Sequence, residues 1–490
     1  MDVVWLATVA AYPVIVLVVD MTIRVLAVIY IPRNRRPQTA LAWLVLIFAL
    51  PVPGIIVFLL FGSRRLPRSR RKKQREINQY ILETTEGIDE VSRDNPWPLW
   101  LEPIVELNRK LGAMPLVGGN TAQMHTDYEE SIAAMTEAVA AAKKYVHVEF
   151  YILSFDRTTA HFFEAMRDAV ERGVTVRVLM DHVAMLRSAG YNRTKRKLKR
   201  IGVQWHVMLP IQPLKGKYQR LDLRNHRKIL VVDGTVAYTG SQNMIDSSYN
   251  KRGNKRRGLH WKDFMVRFEG PIVAGINALF ITDWYSETDE LLLREAPDVG
   301  RESQRADAVD CQVVPSGPGF DGENNLRLFN SLVYAAQERV ILTSPYFVPD
   351  DSMLYAITTA AQQGLDVQLF ASEIGDQPIV YHAQRSYYEA LLRAGVRIWL
   401  YESPTVLHAK HFTIDDQVAV IGSSNMDMRS FSLNLEISVM VHGASFVTDL
   451  LGVADDYRSK SRELGLDEWM QRPLPSRVLD NLARLTAAVQ

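Results

Sequence analysis

Hydrophobic positions fall into two regimes along this chain. Residues 3–19 are uncharged and largely apolar, and after Asp20 and Arg24 the apolar run resumes to Ile31. Residues 39–61 form a second stretch of 23 residues without a charge, interrupted by Pro51, Pro53 and Gly54. Each is long enough to cross a hydrocarbon layer, so the pattern predicts two transmembrane or membrane-embedded segments within residues 1–62, the second kinked or re-entrant. A cleaved export signal fits less well, because Asp2 stands where a basic flank is needed and a second apolar stretch follows.

Beyond Trp97-Pro98-Leu99-Trp100 the regime changes: stretches with a helical period alternate with short β-branched runs, an α/β rhythm. Residues 131–144 predict a helix feeding a strand at 145–153, and residues 328–338 a helix feeding a strand at 339–347. Residues 162–173 and 174–181 match 353–364 and 365–371, each time helix, glycine stop and strand. The echo is sharpest where Asn225-His226-Arg227-Lys228, ending at Asp233, returns as Leu407-His408-Ala409-Lys410, ending at Asp415. Gly240-Ser241-x-Asn243 and Gly422-Ser423-x-Asn425 follow, and every matched position recurs at an offset of 182 residues. A repeat this long is a duplicated domain. The expected fold is α/β, with two tandem lobes of mixed sheet flanked by helices, related by a pseudo-twofold axis. The expected division is 1–62 for the apolar segments, 63–115 for a basic juxtamembrane linker, 116–300 for the first lobe and 301–490 for the second, the lobes parting between residues 300 and 311.

The formal net charge of +2 conceals an asymmetry. Residues 1–75 hold twelve Lys/Arg against Asp2 and Asp20, a net +10 that leaves −8 for the remainder. Eight of these cations (Arg64, Arg65, Arg68, Arg70, Arg71, Lys72, Lys73 and Arg75) lie within twelve residues after the second apolar stretch, against Arg33, Arg35 and Arg36 between the two stretches. Positive charge beside a span favours the cytoplasmic side. The expected arrangement is therefore a multi-pass hairpin in the cell membrane with the lobes inside, its basic run on anionic headgroups at about 1 kcal/mol per residue. The single cysteine, Cys311, removes any intrachain disulfide and any Cys-rich zinc site.

In a strand alternate side chains share a face, so His-x-Lys aims an imidazole and an ammonium out of one surface, and Ser-x-Asn repeats the geometry on a neighbouring strand. Pairing the lobes would gather two His, two Lys and two Asn around one pocket suited to a phosphate. Lysines supply charge, asparagines neutral donors, and histidines a nucleophile and proton transfer. Asp233 and Asp415 stand at odd spacing from their lysines, which turns them away from that pocket towards a structural role.

Two complete copies of His-x-Lys-x4-Asp followed by Gly-Ser-x-Asn resemble the phospholipase D superfamily. The paired apolar segments, the phrase Ser344-Pro345-Tyr346-Phe347-Val348-Pro349 and the run Arg224 to Lys228 further resemble bacterial cardiolipin synthases, over nearly the whole chain. That resemblance implies a catalytic set of His226, Lys228, Asp233, His408, Lys410 and Asp415, supported by Ser241, Asn243, Ser423, Asn425, Asp263 and Glu436. It implies a two-step displacement in which His226 attacks phosphorus to give a phosphatidyl-histidine, while His408 protonates the departing alcohol and deprotonates the incoming one; the reverse assignment stays open. Asp263 and Glu436 sit where the family keeps the acids that fix imidazole tautomers, and each is expected to pair with the histidine of its own lobe. The first lobe carries nine extra residues before its acid, coinciding with Lys251, Arg252, Lys255, Arg256 and Arg257, a candidate headgroup loop. Phosphatidylglycerol and anionic membrane lipids are the expected partners, with no nucleic acid, cofactor or metal.

The other histidines lack a compact ligand spacing, and no P-loop or dinucleotide fingerprint is present. Arg193 to Arg200 is a basic helix with either a solvated or a lipid-facing surface. Glu149, Tyr151 and Tyr346 end strands near the pocket mouth, as substrate contacts or as strand packing. The rival functions are a hydrolytic phospholipase D, or a transferase using another alcohol. A nuclease is weaker, because the cations cluster beside the apolar segments rather than in a stripe with interleaved aromatics. A non-catalytic scaffold would be expected to carry decayed motifs, and both copies are intact.

Overall fold

The computed structural model describes residues 2–33, 35, 37–62, 66–85, 97–212, 217–292, 308–320 and 322–486. They form two units, residues 1–65 and 66–490.

In the first unit the helix Asp2–Tyr30 carries Asp20 and Arg24 one turn apart, paired at 2.9 Å, which offsets part of the cost of placing either charge in an apolar segment. Residues 39–61 do not make one continuous helix. Proline excludes the helical conformation from the residue before it, so Leu50 is extended (φ −137°, ψ 79°) and the stretch divides into Pro37–Ala49 and Pro51–Phe61. The two pieces close on each other. A Cβ on Gly54 would lie 2.8 Å from the Ile47 Cα, and the Trp43 and Phe58 rings meet edge-on at 5.4 Å. Among the described residues no helix is long and apolar enough to cross a membrane. The second stretch is interrupted at its prolines, as two short packed helices. Val14, Leu17, Val18, Leu41, Val45 and Leu59 nevertheless stand exposed, more apolar surface than a water-facing unit of this size normally shows.

The second unit is built on one 16-stranded sheet that runs through both copies of the repeat. At its centre Leu116–His125 pairs antiparallel with Val309–Ser316, and from that seam each half repeats one order outward. The first half reads Met265–Glu269, Val236–Gly240, Lys228–Val232, Tyr145–Phe150, Thr175–Asp181, Gln204–Met208. The second reads Asn434–His442, Val418–Gly422, His411–Ile414, Arg339–Thr343, Asp366–Ser372, Arg397–Tyr401, with Ser461–Leu464 added at its edge. The predicted helix–strand pairs are in place as Tyr128–Ala140 with Tyr145–Phe150 and as Asn324–Ala335 with Arg339–Thr343. A shared core lies on one face, where the helices Ile272–Thr288 and Ala444–Ser459 bury Ile276, Leu279, Val447 and Leu450 against strands of both halves. The lobes are thus continuous through sheet and core. Residues 300–307 of the expected boundary lie outside the described residues.

The expected linker is part of this unit. Leu101, Ile104 and Val105 of the helix Leu101–Gly112 enter the core of the second half. In the helix Arg68–Thr84, Arg70 donates two hydrogen bonds to Glu287, both at 2.8 Å, and Lys73 donates to the Tyr285 carbonyl at 2.8 Å. Arg68, Lys72 and Arg75 remain exposed, while Arg64 and Arg65 lie outside the described residues. The basic run is therefore not a uniform headgroup patch, because Arg70 and Lys73 hold their helix to Ile272–Thr288. Arg70→Ala is expected to destabilise the unit by about 2 kcal/mol, since it strands a nearly buried carboxylate. Converting Arg68, Lys72 and Arg75 to Gln should leave the melting temperature in place and weaken binding to anionic vesicles about fivefold per charge. Thermal melts and vesicle co-sedimentation check both; loss of lipid binding without loss of stability in Arg70→Ala would reverse the division.

Candidate active site

His226 lies between the short strand Arg224–Asn225 and Lys228–Val232, and that short strand pairs with Asn434–His442 of the other half. The His226 amide donates to the Leu435 carbonyl at 2.8 Å, which aims the imidazole at the next residue, Glu436. Its Nδ1 lies 3.0 Å from both carboxylate oxygens. The second copy repeats the device. Thr405–Leu407 pairs with His260–Lys262, the His408 amide donates to the Lys262 carbonyl at 2.8 Å, and Nδ1 of His408 lies 2.7 Å from Asp263 Oδ1. Each histidine is held by the acid of the opposite lobe, which corrects the expected pairing within lobes. Offsets along the chain give the spacing of the acids but not which side of the seam they cross.

The Gly-Ser pair of each motif serves these acids. Ser241 Oγ donates to Asp263 at 2.7 Å and Ser423 Oγ to Glu436 at 2.5 Å, so each serine braces the acid of its own half and through it the other half's histidine. A Cβ on Gly240 would sit 2.3 Å from the Phe264 carbonyl oxygen, and one on Gly422 2.2 Å from that of Ile437, so glycine is needed for the strands to approach this closely. Asn243 accepts from the Ile152 amide at 3.1 Å and donates to the Tyr249 hydroxyl at 2.9 Å. Asn425 is also buried, and its Oδ1 has no hydrogen-bond partner among the described residues.

Lys228 and Lys410 are buried, and each ammonium donates to the carbonyl of its own histidine, at 2.5 and 2.7 Å. Burial pushes Lys228 down to about 7 and Lys410 down to about 8. Burial also lowers both imidazoles, His226 to about 4, with the lysine charges acting in the same direction. Burial works against ionising the acids, yet the histidine and lysine partners prevail and leave Asp263 at about 2 and Glu436 below its usual range. Near neutral pH the pocket therefore holds two carboxylates, two neutral imidazoles and a charged Lys410, with Lys228 close to its own titration. Each imidazole donates Nδ1–H to a carboxylate and presents its Nε2 lone pair. An arriving phosphodiester adds negative charge, which favours protonation of an imidazole and keeps both lysines charged.

Asp233 and Asp415 belong to the motifs but not to the pocket. Both occupy left-handed turns, at φ 54° and 50°, a conformation that aspartate tolerates. Asp233 accepts from the amides of Lys143, Lys144 and Tyr145 at 2.7–2.9 Å, and Asp415 from those of Gln337, Glu338 and Arg339 at 2.8–3.2 Å. They clamp the entry of the strand beside each histidine strand, so their place in the implied catalytic set is corrected to a structural one.

Aromatic rings line the histidines. Tyr151 meets His226 edge-on at 4.9 Å, and Tyr346 meets His408 at 6.3 Å. Glu149 lies deeper, where Asn225 donates to it at 2.7 Å. Sequence reasoning missed Arg227, which stands where the second copy has Ala409. It is buried, reaches the Glu436 carbonyl at 3.2 Å and pairs with Asp283. Its place between His226 and Lys228, where the second copy has an alanine, was the available signal. The extra residues of the first lobe form the exposed helix Arg252–Arg256. The helix Tyr191–Ile201 buries Thr194, Leu198 and Ile201 and leaves most of its cations outward.

A family model described as "Cardiolipin synthase, PLD-like domain" matches residues 135–263 and 330–455, one match per repeat. A second, "Phospholipase_D-nuclease N-terminal", matches residues 23–63. Cardiolipin synthase A of Proteus mirabilis (strain HI4320) is 33% identical over 473 residues, covering 95% of each chain. Cardiolipin synthase A of Klebsiella pneumoniae (strain 342) is 32% identical over 474 residues with the same coverage. Among solved structures, phosphatidylserine synthase of Haemophilus influenzae Rd KW20 shares the fold, with a TM-score of 0.60 at 15% identity, covering 79% of this chain and 100% of that one.

Proposed function

Since the chain belongs to the cardiolipin synthase family of the phospholipase D superfamily and is a phosphatidyltransferase, we propose that it joins two phosphatidylglycerol molecules through a phosphatidyl-histidine intermediate, at a membrane to which its N-terminal unit is anchored. The observation that carries this reading is the crossed arrangement itself: two imidazoles, each oriented by a buried acid, beside two buried ammonium groups. The Nε2 lone pair of His226 attacks phosphorus, the bond from phosphorus to the glycerol oxygen breaks, and His408, which takes up a proton at Nε2 as the anionic phosphodiester binds, gives that proton to the departing oxygen. A hydroxyl of the second phosphatidylglycerol then loses its proton to His408 as its oxygen attacks phosphorus and the bond to Nε2 breaks. One phosphodiester replaces another, so no activated donor is needed. Lys228 and Lys410 balance the charge on the phosphoryl oxygens in both transition states.

The environment of the two rings supports this order. Among the described residues His226 Nε2 has no hydrogen bond, as a nucleophile requires, whereas the Lys410 ammonium lies 3.2 Å from His408 Nε2 and keeps a proton at hand on that side. The exposed aliphatic surface of the first unit and the cations Arg68, Lys72 and Arg75 support anchoring in an anionic bilayer with the second unit on the cytoplasmic side.

Purified full-length protein in detergent, supplied with phosphatidylglycerol alone, should yield cardiolipin and glycerol in equal amounts by mass spectrometry. Phosphatidic acid and glycerol without cardiolipin would make the protein a hydrolase. The lysines also predict a pH profile. Because the free protein holds Lys228 at about 7 and Lys410 at about 8, kcat/KM should fall as pH rises through that range and the ammonium groups are lost. A kcat/KM still rising at pH 9 would show that neither lysine charge is required.

A further inference from the structure

The motif residues of the two halves match, but the residues that flank the histidines do not. His226 stands between Asn225 and Arg227, and His408 between Leu407 and Ala409. Asn225 and Arg227 belong to a closed ring of buried side chains. Asn225 Oδ1 accepts from the Arg227 amide at 3.1 Å, and its Nδ2 donates to Glu149 Oε1 at 2.7 Å. Arg227 pairs with Asp283 of the helix Ile272–Thr288, and Asp283 lies within hydrogen-bond reach of Glu149, which closes the ring. Arg227 Nε also donates to the Glu436 carbonyl at 3.2 Å, one residue beyond the Leu435 carbonyl that accepts from the His226 amide. One guanidinium therefore ties the residue after His226 to the backbone of the acid that orients its ring, across the seam.

The ring balances its own charge. Glu149 Oε2 has no donor among the described residues, and burial together with the Asp283 charge pushes Glu149 well above the usual carboxylate range. Glu149 is thus a neutral acid that can donate to Asp283, which leaves one anion against one guanidinium. The second half lacks this ring. Thr343, opposite His411, stands where Glu149 stands opposite Ile229, and the flanking Leu407 and Ala409 are apolar. Resting on the proposed role of His226, we infer that Glu149, Asn225, Arg227 and Asp283 are positioning residues for the nucleophile, holding His226 and Glu436 in one register so that Nε2 meets phosphorus in line. Such an attack loses on the order of 10²-fold for a displacement of about 1 Å. His408 carries a proton to two different oxygens in turn, and its half has no such clamp.

The test reads the attack alone. In full-length His408→Ala protein in detergent, a phosphatidyl ester of a good leaving group needs no proton to depart, so leaving-group release in a single turnover reports the loading of His226. Arg227→Lys, Asn225→Leu and Glu149→Ala, each added to that parent, should lower the rate at saturating ester at least about tenfold, while the half-saturating concentration stays within about twofold. Glu149→Gln should recover most of the rate lost in Glu149→Ala, because its amide can accept from Asn225 and donate to Asp283. Asn225→Leu installs the residue of the second half and decides the matter should Arg227→Lys fail to melt cooperatively. Three results overturn the positioning role while leaving phosphatidyl transfer standing: rates within about threefold of the parent in cooperatively melting variants, a loss confined to the half-saturating concentration, or a Glu149→Gln as slow as Glu149→Ala. A parent that is never labelled removes the proposed role of His226, and the clamp with it.

Discussion

His226→Ala and His408→Ala each lower cardiolipin formation on the order of 10⁴-fold while the protein keeps a cooperative melt, and the two variants fail at different points. Without His226 there is no nucleophile, and no substrate labels the protein. Without His408 the natural alcohol departs poorly, yet a phosphatidyl ester of a good leaving group needs no proton to expel it. That substrate should load His226 and stop there, because no base remains to activate the acceptor. A brief exposure followed by an alkaline quench, which preserves the acid-labile phosphorus–nitrogen bond, and a peptide map should place the adduct on His226. An adduct on His408 in His226→Ala exchanges the roles. No adduct in either, with glycerol release strictly dependent on acceptor, would indicate direct displacement.

The chain states its repeat plainly because each motif is local. His226 with Lys228 and His408 with Lys410 are two residues apart where the chain enters one strand of a hairpin, and the following Gly-Ser ends or follows the next strand. Spacing of this kind converts directly into a shared face. The odd spacing of Asp233 and Asp415 was equally informative, since it turns them to the strand ends that they clamp. What spacing cannot express is the path of the chain across the seam. Glu436 belongs to the second lobe by sequence, but the parallel pairing of Arg224–Asn225 with Asn434–His442 delivers it to His226.

The N-terminal stretches show a different limit. Over residues 39–61 the prolines and Gly54 signal an interruption, but where it falls is set by the conformational demand of Pro51 on Leu50. Arg70 looked like one of eight equivalent cations, and its buried partner Glu287 is 217 residues away. The first of these is a local effect of neighbouring residues, whereas the second depended on a partner brought close by topology.

The crossed acids provide the second large effect, and it discriminates between the lobes. In Glu436→Gln the amide can donate to Nδ1 of His226, which moves the imidazole proton to Nε2 and removes the attacking lone pair. Turnover should fall about 10³- to 10⁴-fold, and neither phosphatidylglycerol nor an ester with a good leaving group should label the protein. Asp263→Asn imposes the same change on His408, whose Nδ1 lies 2.7 Å from Asp263. Overall turnover should fall comparably, but an ester with a good leaving group should still load His226, and the adduct should persist because the acceptor is not deprotonated. Were each acid coupled to the histidine of its own half, Asp263→Asn would be the variant that cannot be labelled and Glu436→Gln the one that traps. Single-turnover labelling of the two amide variants, with the adduct mapped in each, therefore reads out across which side of the central seam each carboxylate acts.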